Sequence, residues 1–419
     1  MLVLVSDIHL TDGEADGKAT SAPTMHPGAF RIFTTNLADL AKAARTREIE
    51  IVFLGDMFDV IRSTYWLRSN IRPWSKESAA DKDGQTLKDY ALAITDRICA
   101  GKSNQESMGH LAAFREAMRK EGRTVKFTYL IGNHDWLINR YGEARARIAK
   151  FAGLEDAERY SNDAFATETY WKDYSVFARH GDKYDSFNFD GDRNESSLGD
   201  ALVIDLVNGF PAAVEERIGA ADPQLIARLR EIDNVRPLID VPLWVEAVTS
   251  RAASPEIKQE VKGVWNRLLD EFLRIPFVRA HDKPWRIDVV DAMQVLFALA
   301  KRMSVKKIAD SPLRSFLASE EDYAREAFGE ERLRSGEARF VVYGHTHAFD
   351  IRPLDVTTAD GSVRSRMYFN TGTWRRTHQR AAFGKGLDFV SWNVMTFIAF
   401  YLDDERGKYA FEVWNGALG

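Results

Sequence analysis

Short apolar runs recur along this chain, and five of them end where a glycine or a polar residue begins. These runs cover residues 2–5, 51–54, 125–131, 175–178 and 340–343. Runs of this length, rich in Val, Ile and Phe, are typical of strands buried in a layered α/β core. Strand and helix patterns alternate through residues 1–190, with a mostly helical stretch at 87–120 that has a break around Gly101 to Ser103.

The pattern changes to helical spacing after residue 190. Apolar residues recur every three or four positions in residues 261–273, behind Ser254 as a capping residue and Pro255 as the first helical residue. Residues 288–303 are apolar on more than one face, which predicts a buried helix. Residues 319–322 predict the start of another helix, which Gly336 can end.

Strand patterns return in the last part of the chain, at residues 363–370, 389–402 and 408–414. Early alternation and consecutive late strands together predict an α/β (α+β) fold, a four-layer αββα sandwich of two mixed β-sheets flanked by helices. Residues 1–190 and 336–419 would form this core. Residues 191–335 would form a large helical insertion, which at about 145 residues is far longer than an ordinary connection.

Each of the five apolar runs named first leads into a short polar motif. The motifs are Asp7-Ile8-His9, Gly55-Asp56, Gly132-Asn133-His134-Asp135, His180-Gly181-Asp182 and Gly344-His345-Thr346-His347. Ligands of α/β folds gather at the carboxyl ends of strands, so motifs far apart in sequence can converge. Residues i and i+2 of an extended segment point to the same side. Asp7 with His9, and His345 with His347, could therefore each face one cluster.

The order of these motifs resembles the calcineurin-like metallophosphoesterase superfamily, over residues 1–185 and 339–375. The resemblance implies a first divalent metal held by Asp7, His9, Asp56 and His347. It implies a second metal held by Asp56, Asn133, His180 and His345, with Asp56 bridging. His134 would act as general acid or electrostatic support beside the substrate, and Asp59 would orient it.

The motifs resemble one branch of this superfamily more than another, although the match to any single branch is looser than the match to the superfamily. In protein serine/threonine phosphatases, Arg and Gly come directly after the GDxxD motif. In this chain Val60 and Ile61 come after Asp59, and the nearest basic residue is Arg62. Asp182 after His180-Gly181, with Asp185 close behind, is more similar to the branch that contains UDP-diacylglucosamine pyrophosphatase of lipid A synthesis. This chain is much longer than those enzymes.

The implied activity is hydrolysis of a phosphodiester or pyrophosphate bond by metal-activated water. Two metals about 3.5–4 Å apart can clamp both the attacking and the leaving oxygens of an in-line displacement. A ligand set of nitrogen and oxygen without thiolate suits Mn, with Fe or Zn as alternatives. A phosphomonoesterase acting on a small substrate and a metal-binding scaffold without catalysis remain open, because each motif taken alone has a bland interpretation as a turn, a helix cap or a surface histidine.

Bulk properties narrow the class of partner. The formal net charge is −5, and residues 191–335 hold 21 Lys+Arg against 25 Asp+Glu, so no basic track for nucleic acid is expected. A small-molecule or lipid-linked phosphoester fits better. One cysteine, Cys99, excludes an internal disulfide and favours a reducing cytoplasm. The apolar stretch at 389–402 is too short to span a bilayer.

The insertion has two interpretations that the sequence leaves open. It could cover the metal cleft and select the substrate, as insertions in the superfamily often do, or it could be a structural extension or an assembly surface. The sequence does not predict the oligomeric state of the protein. None of the remaining histidines is assigned to metal, although His378 lies near the last motif in sequence.

Overall fold

A computed structural model of the chain describes residues 1–14, 26–281, 323–359, 362–383 and 387–418. Two mixed β-sheets with helices around them form the fold, as the sequence predicts. The strands are β1 Leu2–Val5, β2 Glu48–Leu54, β3 Thr124–Leu130, β4 Glu168–Trp171, β5 Val176–Arg179, β6 Phe340–Tyr343, β7 Phe349–Ala359, β8 Ser362–Thr371, β9 Arg376–Arg380, β10 Phe389–Phe400 and β11 Phe411–Leu418.

The α-helices of the described residues flank the sheets or build the insertion. They are α1 Gly28–Ala44, α2 Leu87–Ala100, α3 Lys102–Lys120, α4 Trp136–Arg140, α5 Gly142–Phe151, α6 Leu198–Ala201, α7 Gly209–Ile218, α8 Pro223–Leu229, α9 Val241–Thr249, α10 Pro255–Phe272, α11 Pro276–Ala280, α12 Tyr323–Gly329 and α13 Glu331–Arg334. A π-helical segment, Leu202–Asn208, joins α6 to α7. Short 3₁₀ turns occur at Thr64–Arg68, Ala157–Ser161, Lys172–Tyr174, Asp182–Tyr184, Gly219–Ala221, Ile232–Asn234, Leu238–Asp240 and Arg406–Lys408.

The first sheet has the strand order β11-β10-β1-β2-β3, with β9 also paired to β10. Its strands β1, β2 and β3 are parallel, whereas β10 runs antiparallel to β1, β9 and β11. The second sheet has the order β4-β5-β6-β8-β7, in which β5, β6 and β8 are parallel. The carboxyl ends of β1, β2 and β3 in one sheet, and of β5 and β6 in the other, are the five positions that precede the polar motifs.

Side chains alternate between two apolar layers in β1. Leu2 and Leu4 join a core between the sheets that also contains Val342 of β6 and Phe400 of β10. Val3 and Val5 instead join the core that α1, α2, α3 and α5 build on the outer face of the first sheet. Helices α12 and α13 pack on the outer face of the second sheet. Because a fully buried Leu, Val or Phe contributes about 1.5–3 kcal/mol each, these layers fix the relation of the two sheets.

The helical insertion has an apolar core of its own, centred on α7, α9 and α10. Helix α10 begins as predicted, because the Ser254 hydroxyl accepts a hydrogen bond from the Ile257 amide and Pro255 occupies the first turn. The predicted break between α2 and α3 is also confirmed, at Gly101. No strand occurs within residues 191–281 or 323–335.

One predicted strand boundary is wrong. The strand expected at residues 408–414 begins at Phe411, because Arg406, Gly407 and Lys408 form a 3₁₀ turn in which all three have positive φ. The predicted buried helix at residues 288–303 and the helix start at residues 319–322 lie outside the described residues.

Candidate metal centre

Backbone hydrogen bonds join the five polar motifs at one edge of the two sheets. Within the first sheet, the Asp7 amide donates to the Gly55 carbonyl at 3.2 Å and the His9 amide to the Asp56 carbonyl at 2.9 Å. Within the second sheet, the Gly344 amide donates to the His180 carbonyl at 2.8 Å. The His134 amide also donates to Asp56 Oδ1 at 2.8 Å, and the His345 amide donates to Asp7 Oδ2 at 3.0 Å across the two sheets. The structure therefore brings all seven predicted ligand residues into one cluster.

The backbone at this edge is held in an uncommon conformation. Five of the predicted ligand residues have positive φ, namely Asp7 (53°), His9 (53°), Asp56 (54°), His345 (72°) and His347 (59°). Left-handed backbone costs roughly 1–3 kcal/mol at each non-glycine residue and is concentrated at functional sites. The surrounding fold must stabilise these residues enough to offset that strain.

Glycines provide the close approach that the cluster needs. A Cβ atom at Gly132 would overlap the Asp56 carboxylate and the His180 ring, and one at Gly55, where φ is +83°, would overlap His180 as well. Any side chain at either position would displace the ligand groups. Asp135 holds the same loop from below, because its carboxylate accepts hydrogen bonds from the amides of Gly132 (2.6 Å) and Met57 (3.3 Å).

Asp7, His9 and His347 form a first group of candidate ligands. The Nε2 atoms of His9 and His347 are 3.0 Å apart, and His347 Nε2 lies 3.3 Å from Asp7 Oδ1. His9 Nε2 lies 3.9 Å from the same Asp7 oxygen and 4.0 Å from Asp56 Oδ2. These four atoms, from two histidines and two carboxylates, face one point.

Asp56, His180 and His345 form a second group, and Asn133 adds an amide oxygen to it. His180 Nε2 lies 3.1 Å from Asp56 Oδ2 and 3.2 Å from Asn133 Oδ1. His345 Nδ1 lies 2.9 Å from Asn133 Oδ1. Asp56 Oδ2 thus stands between the two groups.

The spacing of both groups suits a divalent ion. Nitrogen and oxygen ligands bind such ions at about 2.0–2.2 Å, which places neighbouring ligand atoms roughly 3 Å apart. One atom is also left without a partner: Asp7 Oδ1 is buried and has no hydrogen bond among the described residues. A buried carboxylate oxygen is costly unless it is paired or bound to metal. The residues present therefore fit a metal ion.

A second hydrogen bond orients three of the candidate ligand imidazoles. His9 Nδ1 lies 2.8 Å from Asp59 Oδ2, and His345 Nε2 lies 2.9 Å from Asp185 Oδ2. His180 Nδ1 donates to the carbonyl of Leu54 at 2.8 Å. Acceptors of this kind fix the ring so that the opposite nitrogen presents its lone pair to a metal. Sequence reasoning did not assign Asp185, whose only signal was its place five residues after His180.

Strong opposite charges shift the pKa values within the cluster. Burial alone would raise the pKa of Asp7. The neighbouring His180 and His347 lower it by more, so that the resulting pKa is about 2. Burial lowers the pKa of His180, but the Asp56 and Asp7 carboxylates raise it to about 10. Both shifts arise from the attraction between the His180 imidazolium and the neighbouring carboxylates.

His134 lies beside the candidate ligands and contacts Asp59. Its Nδ1 is 2.9 Å from Asp59 Oδ1, and its backbone amide donates to Asp56 Oδ1 at 2.8 Å. Burial lowers the pKa of His134, but the charge on Asp59, and next on Asp56, raises it to about 9. His134 also lies within ligand range of His9 and Asp56, so its assignment as a residue that does not bind metal stays a prediction.

Asp59 supports two histidines rather than the single one predicted. Because its two oxygens engage His9 and His134 separately, Asp59→Asn should loosen both rings. We expect a loss of about 10- to 100-fold in metal affinity or in activity, which is the usual effect of removing such a supporting partner. Metal titration and steady-state kinetics of the variant would measure it. The exposed Asp163→Asn provides a matched control, and a variant of Asp59 that behaves like this control would contradict the supporting role.

A buried group of charges borders the cluster on the side of the insertion. The Asp233 carboxylate accepts from Arg375 Nη2 at 2.6 Å and from Arg62 Nε at 3.1 Å. The side chains of Arg62 and Arg375 are 2% and 8% exposed. Arg236 donates to the Asp233 carbonyl at 2.7 Å and reaches His347 Nδ1 with Nη2 at 2.6 Å. Arg62, the base nearest the second motif in sequence, is therefore part of an ion pair with the insertion.

Asp233→Asn should destabilise the protein, because it removes one carboxylate from between two buried guanidinium groups. Breaking a buried ion pair at one partner costs on the order of 3 kcal/mol. Denaturant unfolding followed by tryptophan fluorescence would measure the change in the free energy of unfolding. Glu215→Gln is the control, since Glu215 pairs with Arg230 while 44% exposed, and such pairs contribute under about 1 kcal/mol. Equal, small effects of both variants would contradict the expectation.

The other histidines lie outside the cluster. His378 Nδ1 is 2.5 Å from the Ser391 hydroxyl, its Nε2 is 2.5 Å from Glu231, and its ring stacks on Trp244. His281 faces Asp190, and His110 lies near Glu106. His26 accepts a hydrogen bond from the Gly28 amide. None of the four belongs to a candidate metal-ligand group of the described residues.

Comparison with known proteins does not identify the chain. No protein-family model matches it, and no curated protein matches its sequence. Among the described helices, none combines the length and the apolar composition needed to cross a bilayer.

Proposed function

We propose that this chain is a metal-dependent phosphoesterase of the calcineurin-like metallophosphoesterase superfamily that hydrolyses a phosphodiester or pyrophosphate bond. The observation that supports it best is the convergence of the seven predicted ligand residues around a buried, unpartnered Asp7 oxygen. Five strand ends contribute to this cluster, and five of its histidine and aspartate residues adopt the left-handed backbone that is concentrated at functional sites.

In this proposal two divalent ions share the cluster. Asp7, His9, Asp56 and His347 would hold one, and Asp56, Asn133, His180 and His345 the other. The position of Asp56 Oδ2, 3.1 Å from His180 Nε2 and 4.0 Å from His9 Nε2, supports its role as the bridge. When bound, the two ions supply Lewis-acid stabilisation of phosphoryl charge and a water nucleophile that is active near neutral pH. Manganese is our first candidate, with iron or zinc as alternatives.

His134 is proposed to protonate the leaving oxygen. Asp59 holds the ring through Nδ1 at 2.9 Å, which leaves Nε2 for the substrate. The ring edge packs against His9 with a centroid separation of 4.7 Å, so Nε2 stays near the ligand cluster. The side chain is 18% exposed, whereas Asp59 is fully buried, and a ligand entering the cleft can therefore reach His134. General acid catalysis needs this combination of reach and fixed orientation.

The insertion is proposed to cover the cleft and to select the substrate. Four of its residues contact the elements that carry the site: Arg236 reaches His347, Asp233 pairs with Arg375, Asn208 bonds Arg62, and Asp200 accepts from Trp136 at 3.1 Å. These contacts support a position of the described part of the insertion beside the candidate ligand cluster. Its near balance of charge favours a small or lipid-linked ester over a polyanion.

Hydrolysis of bis-p-nitrophenyl phosphate and p-nitrophenyl phosphate by the Mn-loaded protein tests the proposal. We expect turnover of the diester above that of the monoester, and loss of both after chelation with recovery on adding Mn. Faster turnover of the monoester would indicate a phosphomonoesterase. No turnover of either substrate, or of a nucleotide diphosphate ester, would favour a metal-binding scaffold. Asp56→Asn protein purified in parallel controls for contaminating hydrolases.

A further inference from the structure

Arg236, which the insertion contributes, lies beside the candidate metal centre and carries a positive charge. Its guanidinium donates to the carbonyl oxygens of Asp233 (2.7 Å) and Val235 (2.9 Å) and reaches His347 Nδ1 at 2.6 Å. None of the described carboxylates forms an ion pair with it. The Arg375 guanidinium lies close by, as do the charges of Asp233 and Asp7. A partly buried guanidinium without an ion pair is stabilised by an anion that approaches it.

The carboxylates near Arg236 among the described residues, Asp233 and Asp7, are already engaged, and Asp7 belongs to the candidate ligand cluster. Both carboxylate oxygens of Asp233 are engaged by Arg62, with Oδ2 also engaged by Arg375. Three guanidinium groups, those of Arg62, Arg236 and Arg375, therefore gather around Asp233 beside the candidate ligand cluster. A planar guanidinium matches a phosphoryl group better than any other cationic side chain does.

The contact with His347 differs from that of the other candidate ligands. In three of the candidate ligand histidines, the ring nitrogen that faces away from the cluster contacts a hydrogen-bond acceptor; these are His9, His180 and His345. In His347, this nitrogen instead contacts a donor, Nη2 of Arg236. A neutral imidazole carries one N–H and one lone pair. If His347 Nε2 gives its lone pair to a metal, Nδ1 carries the proton and cannot accept from Arg236. Metal binding would therefore release one Arg236 donor next to the cleft.

We propose that Arg236 binds an anionic oxygen of the phosphoryl group at the metal centre. This inference rests on the proposed function for the identity of the anion, and it assigns to the insertion a direct part in substrate recognition. The released Nη2 donor contacts the phosphoryl oxygen, while Nη1 stays anchored on the Asp233 and Val235 carbonyls. The bound ester then gives Arg236 the anionic partner that it does not have among the described carboxylates.

Binding of inorganic phosphate to the Mn-loaded protein tests this role without catalysis. Isothermal titration calorimetry would give the dissociation constant for wild type, Arg236→Gln, Arg236→Lys and the control Arg228→Gln, with metal content measured for each. Arg228 is an exposed residue of the same insertion, so its variant loses the same charge at a surface position. We expect Arg236→Gln to weaken phosphate binding by about 10- to 100-fold at unchanged metal content. Arg236→Lys should fall between Arg236→Gln and wild type, and Arg228→Gln should match wild type.

Phosphate affinity of Arg236→Gln within twofold of wild type would overturn the inference, as would loss of bound metal in both Arg236 variants. A wild-type protein that binds no phosphate would overturn it too. The result separates from the proposed function: a wild-type protein that binds phosphate through Arg236 and hydrolyses no ester contradicts the enzyme and leaves the anion site standing. If wild type hydrolyses the ester and Arg236→Gln keeps the same KM and phosphate affinity, the enzyme proposal stands and the anion site is contradicted.

Discussion

Asp56→Asn is expected to remove metal occupancy and activity together. The carboxylate stands between both groups of candidate ligands, with Oδ2 at 3.1 Å from His180 Nε2 and 4.0 Å from His9 Nε2. Its pKa is lowered well below the ordinary value, because the nearby His180 and His134 outweigh the effect of burial. Asparagine keeps the shape of the side chain and loses the charge, so two cations would no longer be held together.

Metal analysis after equilibration with Mn would measure this loss, alongside hydrolysis of bis-p-nitrophenyl phosphate. We expect fewer than one ion per chain and no turnover above background. Asp163→Asn, at an exposed position, should keep wild-type metal content and rate. An Asp56→Asn protein that retains two ions would show that Asp56 does not bridge them.

His134→Gln, and equally His134→Asn, should keep the metals and slow the reaction by about 10²–10⁴-fold, the usual contribution of a positioned proton donor. The ring is held by Asp59 at 2.9 Å and lies against His9, and its backbone amide supports Asp56. A side-chain substitution leaves that amide in place, so the candidate ligands should stay in position. The effect is therefore expected in kcat rather than in metal content.

The competing interpretation makes His134 a ligand, because it lies within ligand range of His9 and Asp56. Metal content decides between the two. Loss of an ion in His134→Gln would identify a ligand, whereas an unchanged rate would remove His134 from the reaction altogether. A substrate with a better leaving group offers a further check, since it needs less protonation and should narrow the gap between variant and wild type.

The strand-end motifs could be predicted from sequence because each depends on a local pattern. An apolar run fixes a strand, and the first polar residues after it must lie at the carboxyl end. Asp7 and Asp56 follow β1 and β2 in this way, and the parallel pairing of those strands sets them side by side. The same logic placed His180 and His345 after β5 and β6.

The supporting contacts could not be predicted because they depend on long-range packing. Arg236 and His347 are 111 residues apart, and an arginine in a polar helical region is usually a solvated surface residue. Asp185 likewise meets His345 across 160 residues. The turn at Lys408 was missed because its positive φ is unusual for lysine, and apolar spacing carries no information about it.

A crystal structure of the Mn-loaded protein with anomalous data collected at the manganese edge would test the central claim most directly. We predict two anomalous peaks about 3.5–4 Å apart. One would contact Asp7 Oδ1 and the Nε2 atoms of His9 and His347. The other would contact Asn133 Oδ1, His180 Nε2 and His345 Nδ1, with Asp56 reaching both. No peak at this cluster, or a single peak that leaves Asp7 Oδ1 without a partner, would contradict the binuclear site.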